Sequence, residues 1–170
     1  MALYTSLGST TAELTDRQIE DALCEAFHAI GPKQNVVVVP PDYTRKASRA
    51  GDLTGMAYRY YGGGLKDVIP AVGTHDPMTD AEWESMFPDT PHSLMRYHNW
   101  RTDVETIGEV PAEFVADATG GVYRQPWPAQ LNRNLWQGSY DLILSIGQVV
   151  PHELKSSGHT SQTQRARSPH

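Results

Sequence analysis

Asp42, Thr44 and Arg45 follow directly on a run of four valines, and His75, His98 and His152 each follow another short apolar run. Imidazole is the side chain best suited to moving protons near neutral pH. An Arg guanidinium presents a fork of N–H donors that suits a carboxylate or phosphate. If the apolar runs are parallel strands, their carboxyl ends lie on one edge of the sheet, where open α/β folds bind ligands. Four loops would then deliver an Asp, an Arg and up to three imidazoles to one crevice, an arrangement suited to acid–base or metal chemistry. Taken singly, each residue has a plainer reading. Asp42 and Thr44 suit the turn and cap ahead of a helix. Arg45 also reads as a surface cation, and His75, in GTHDPMTD, as a loop residue before a capped helix. His98, between Tyr97 and Asn99-Trp100, reads as packing rather than ligation. His28 falls in a helix, and His92, His159 and His170 fall in loop or tail sequence.

Other chemical signatures are missing from the sequence. There is no phosphate-binding loop ending in Gly-Lys-Ser/Thr, no dinucleotide glycine fingerprint and no Gly-x-Ser-x-Gly elbow. No helix carries His-x-x-x-His, and the single cysteine, Cys24, cannot form an internal disulfide or a Cys-rich zinc site. Cys24 lies in an amphipathic helix and reads as a small buried residue.

The elements that must position these residues are short. Residues 35–40 (NVVVVP) form the clearest strand, four valines in succession suiting burial on both faces of a parallel sheet. Residues 66–72 form a second, with Pro70 placing it near an edge. Residues 94–97 form a brief third, and residues 140–146 another buried strand ending at Gly147. Thr15-Asp16-Arg17-Gln18 has capping-box spacing, with Ile19, Leu23, Ala26, Phe27 and Ile30 on one face, and Gly31-Pro32 stops the helix. Residues 48–61 are predicted helical despite Gly51 and Gly55, with Gly62 to Gly64 closing the helix. Residues 79–87 begin on a cap-like Thr-Asp pair and form a short helix. Residues 109–137, with Pro111, Pro126 and Pro128, read as loops with one short hairpin. This alternation predicts an α/β domain with a mainly parallel sheet and helices on both faces.

The chain has 170 residues, which suits one domain with a sizeable core. Its 14 Lys and Arg against 20 Asp and Glu give a net charge of −6. That balance argues against nucleic acid and against a polybasic membrane surface as partners. No apolar run approaches the roughly 18 residues of a membrane span. The N-terminus lacks a basic start and apolar stretch, so the expected location is cytoplasmic. After Glu153 the composition changes abruptly. Residues 154–170 contain one aliphatic side chain and are predicted disordered, as a tail or as the place where a longer reading frame ends or shifts.

Four segments resemble the nickel-dependent lactate racemase (LarA-like) family. Asp42-Tyr43-Thr44-Arg45 resembles its Asp-x-Thr-Arg motif, and Gly73-Thr74-His75-Asp76-Pro77-Met78-Thr79 resembles its Gly-Thr-His-Arg-Pro-Met-Thr segment. His98-Asn99-Trp100-Arg101 is similar to a His-Asp-type stretch, and residues 145–153, containing His152, resemble the segment of its second catalytic histidine. The resemblance covers residues 1–153 and implies an incomplete N-terminal α/β domain, followed by a non-family tail over residues 154–170.

What it implies is racemisation or epimerisation of a small 2-hydroxy acid by reversible hydride transfer to a nickel-pincer nucleotide. His75 and His152 would be the two proton-transfer residues, Arg45 would hold the substrate carboxylate, and Asp42 and Thr44 would lie in the cofactor and substrate pocket. Some of the pattern is unmatched. Gln162 stands where the family's cofactor-tethering lysine falls, Lys155 is only three residues beyond His152, and no residue matches the nickel-ligating histidine. Asp76 replaces a usual arginine. The expected chain is therefore an incomplete, inactive form lacking its C-terminal domain, with uncovered apolar surface that promotes self-association. Two other functions fit the residues: a zinc-dependent hydrolase built on His75, His98 and His152, and a non-catalytic ligand-binding domain.

Overall fold

The computed structural model describes residues 3–148. Helix α1 (Asp16–Ile30) begins as the sequence predicts: Thr15 Oγ1 accepts from the Gln18 amide at 3.3 Å, and Gln18 Oε1 accepts from the Thr15 amide at 2.9 Å. Gly31, at φ 87°, ends it. Strand β1 (Val36–Val39) is central, and Val36, Val37 and Val38 have no exposed surface. Full burial of a valine is worth roughly 1.5–3 kcal/mol, so the run suits only a strand covered on both faces.

β1 pairs in parallel with β2 (Leu65–Val68) on one side and β5 (Leu142–Ser145) on the other. The fold is therefore α/β, with a three-stranded parallel sheet flanked by helices. Val38, Val68 and Leu144 stand in register and pack with Phe27 of α1 and Ala57 of α2 (Ala50–Tyr61). Phe27 meets Tyr60 and Tyr61 with ring centroids 5.1 Å apart in each case, which joins the two helices. Val37, Asp67 and Ile143 share the opposite face. There Tyr140 Oη donates to Asp67 Oδ2 at 2.5 Å and Arg96 Nε pairs with Asp67 Oδ1 at 2.8 Å. Burial first, then the Asp67 bond and charge, push the Tyr140 phenol well above its ordinary pKa.

Gly51 and Gly55 have a packing reason. A β-carbon on Gly51 would fall 1.7 Å from the Met86 carbonyl oxygen, and one on Gly55 would fall 2.9 Å from Asp89 Cβ. The end of α3 (Asp80–Met86) thus lies directly on the glycine face of α2. α3 opens with its own capping box between Thr79 and Glu82.

Several expectations need correction. The strand at residues 94–97 shrinks to one residue: His92–Leu94 form a 3₁₀ turn, and only Met95 bridges to Val68. The strand expected at residues 140–146 is half-buried on one face and exposed on the other, Ile143 being 48% exposed. The helix expected at residues 48–61 starts at Ala50, after a 3₁₀ segment at Tyr43–Ser48 and left-handed Arg49 at φ 63°. Cys24 is half-buried, its thiol raised in pKa by desolvation and by Glu20 and Asp21.

The largest difference lies at residues 104–137. They form an antiparallel pair, β3 (Val104–Val110) with β4 (Trp127–Asn132), and two short helices, α4 (Ala112–Ala118) and α5 (Arg133–Gln137). Pro128 fits because a two-stranded ribbon consists of edges only. Among the described residues, no helix is long and apolar enough to cross a membrane.

Candidate functional site

The carboxyl ends of β1, β2 and β5 enclose a crevice of about 670 Å³. Pro40 to Asp42, Thr44 and Arg45 enter it after β1, Ala71 to His75 after β2, and Ser145 and Ile146 at the end of β5. The residues that follow β1 and β2 thus meet in one crevice at the carboxyl edge of the sheet, where open α/β folds bind ligands.

Asp42 organises the crevice. Its side chain is buried and caps the 3₁₀ turn, Oδ1 accepting from the Thr44 amide at 3.1 Å and from Thr44 Oγ1 at 2.5 Å. Its second oxygen, Oδ2, lies 2.5 Å from His75 Nδ1. Desolvation alone would raise this carboxyl's pKa. The hydrogen bonds from Thr44 Oγ1, His75 and the Thr44 amide, with the charge of His75, outweigh it and hold Asp42 below the usual carboxylate range. An ionised Asp42 accepts the Nδ1 proton, so neutral His75 presents its lone pair at Nε2.

The approach of these two residues depends on backbone turns. The β2 strand continues through a bridge of Pro41 with Ala71. Gly73 then takes φ 60°, and the His75 amide bonds back to the Val72 carbonyl at 2.9 Å. A buried carboxylate thus holds one ring nitrogen while the ring itself is largely exposed, with the His75 side chain at 59%. Such a pair can take up and return a proton at a defined position.

Arg45 also lines the crevice. Its backbone, at φ −110° and ψ 25°, breaks the 3₁₀ segment. It makes no ion pair with the described residues, so its guanidinium is available to an anion. Thr44 lines the crevice as well, and it bonds to Asp42 through both its amide and its hydroxyl. Ser145 and Thr74 also line the crevice. Strand-end position is the sequence signal that could have singled them out.

The expected gathering of histidines is smaller in the described structure. His98 does not line the crevice; its Nδ1 is 2.7 Å from Asn132 Nδ2 of β4. The β3–β4 ribbon, read from the sequence only as a short hairpin among loops, supplies that partner. His152, Gln162 and the rest of residues 149–170 lie outside the described residues. Among the described residues, no group of three or more His, Cys, Asp or Glu is placed to hold a metal ion.

No protein-family model matches the chain, and no curated protein matches it. Two solved structures do. A crystal structure of a Thermotoga maritima protein matches with a TM-score of 0.71 at 28% identity, over 82% of this chain and 35% of its own. Lactate racemase apoprotein from Thermoanaerobacterium thermosaccharolyticum matches with a TM-score of 0.50 at 21% identity, over 72% of this chain and 27% of its own. The chain thus spans about a third of the length of these neighbours, and over most of its described length it has the fold of part of lactate racemase.

Proposed function

We propose that this chain provides the proton-transfer and carboxylate-binding wall of a 2-hydroxy-acid racemase or epimerase. The observation that carries this reading is the Asp42–His75 pair at the mouth of the crevice, with Arg45 on the same rim. His75 Nε2 would accept the hydroxyl proton of a 2-hydroxy acid as its carbon is oxidised, and return it to the 2-oxo acid in reverse. Asp42 would hold the ring and stabilise the imidazolium. Arg45 would clamp the carboxylate through two parallel bonds, which lysine cannot reproduce. The sequence resemblance and the shared fold support this reading.

Racemisation needs a second base on the other side of the planar intermediate, a role the resemblance gives to His152. The nickel-pincer nucleotide implied by the resemblance would supply the hydride acceptor. The described residues suit the acid–base part of that chemistry. With Gln162 at the tether position, residues 1–170 by themselves are proposed to be inactive.

The test is binding. L-lactate, D-lactate and pyruvate titrated into isotope-labelled chain should perturb the His75 ring and Arg45 guanidinium resonances. Arg45→Lys should weaken the effect about tenfold or more. Carboxylates that leave both side chains unmoved at millimolar concentration would refute the reading. Racemisation by residues 1–170 supplied with mature cofactor would overturn the proposed inactivity while leaving the site intact.

A further inference from the structure

Hydrogen bonds hold the end of the β3–β4 ribbon to the turn at residues 98–103, which precedes it. The Arg133 amide donates to the Asp103 carbonyl at 2.7 Å, and Arg133 Nη2 donates to the Thr102 carbonyl at 3.1 Å. The Asn99 amide donates to Asp103 Oδ2 at 2.8 Å. The fourth bond is His98 to Asn132 at 2.7 Å, between the start of the turn and the end of β4.

The direction of that fourth bond follows from its neighbour. Asn132 Oδ1 accepts from the Asn134 amide at 2.8 Å and caps α5. A backbone N–H can only donate, so the atom facing it must be the amide oxygen. Asn132 Nδ2 therefore faces His98, and it too can only donate. His98 must offer a lone pair at Nδ1, with its proton on Nε2.

Protonation of His98 places an N–H at Nδ1 and points two donors at one another. Turning the Asn132 amide to avoid the clash removes the α5 cap, and turning the ring removes the acceptor. Asn132 is 8% exposed, so a lost partner is not simply replaced by bulk water. We propose that the His98–Asn132 contact is an acid-sensitive latch: neutral His98 fastens the end of the ribbon to the turn that precedes it, and the imidazolium releases it. Of the charged groups nearby, Asp103 in the turn attracts the imidazolium, and Arg133 from α5 acts on that same carboxylate. On its own segment, Arg96 is paired with Asp67 and Arg101 stacks on Trp100 at 4.0 Å. None of these removes the conflict at Nδ1. The latch does not depend on the racemase reading, since His98 lies outside the crevice.

Amide hydrogen exchange on the full chain tests it at pH 7.5 and 5.5, corrected for the intrinsic pH dependence of exchange. β3 and β4 amides should exchange about three- to tenfold faster at the lower pH, the range expected for one lost hydrogen bond. α1 and β1 should not change, which controls for global unfolding. His98→Gln keeps an acceptor without a titrating group and should abolish the difference. Asn132→Asp keeps the α5 cap and offers a carboxylate oxygen to His98, so acid should then tighten the ribbon. Equal ribbon protection at both pH values in the unmodified chain, or full pH dependence retained in His98→Gln, would overturn the proposal.

Discussion

Asp42 shows how one side chain can serve both folding and chemistry. It caps the turn through Oδ1 and holds His75 through Oδ2, and those bonds keep it ionised despite burial. A carboxyl whose pKa is lowered on folding contributes stability that is fully present above its unfolded value of about 3.9 and is lost as pH falls through that value toward the folded one. Asp42→Ala should therefore cost about 1–3 kcal/mol near neutral pH, the range for hydrogen bonds to a charged group. The gap from the unmodified protein should narrow below about pH 4. Urea unfolding midpoints at pH 7, 4 and 2.5 measure this, and a gap that stays constant across them would contradict the assignment. The sequence placed Asp42 and His75 on one sheet edge because both follow strands. It could not show that they bond, since contact between residues 33 apart depends on the Gly73 turn and the Pro41–Ala71 bridge.

Elements were legible where local chemistry decides them. The Thr15 capping box, the cap-like start at Thr79 and the valine strand stand as read, because caps and continuous burial leave a short-range imprint. The β3–β4 ribbon left none. In VETIGEV the apolar residues fall at Val104, Ile107 and Val110, three apart, because the register shifts between Thr106 and Gly108 and breaks the alternation of a regular strand. The helical glycines of α2 look like defects in sequence and become legible only against α3. Gly51→Ala would drive a methyl group into the Met86 carbonyl, and overpacking of this kind costs about 1–3 kcal/mol or more. Gly63→Ala meets nothing within 4 Å and has no positive φ to strain, so it should be neutral or gain up to about 1 kcal/mol. Thermal unfolding of the two variants separates close packing from ordinary glycine flexibility. Equal losses would show that the α2–α3 approach is not the cause.

At the scale of the whole molecule, apolar surface is distributed unevenly. The sheet core is closed around Trp83, Phe87 and the valines, yet Phe114 is 64% exposed, Trp127 57%, Trp136 54% and Val122 89%. All four belong to the segment that begins with the ribbon. Ile143 adds a second exposed position, on the outer strand β5, whose four residues carry no charge or proline to discourage pairing. A protein with this distribution should associate as its concentration rises, because large exposed apolar groups gain by leaving water. Sedimentation velocity from about 5 to 200 μM should show weight-average mass increasing with concentration. Trp127→Ser with Trp136→Ser should suppress the increase if the ribbon segment drives it, and Ile143→Lys should do so if the β5 edge does. A single monomeric species over the whole range would show that these side chains are covered in solution by the chain itself.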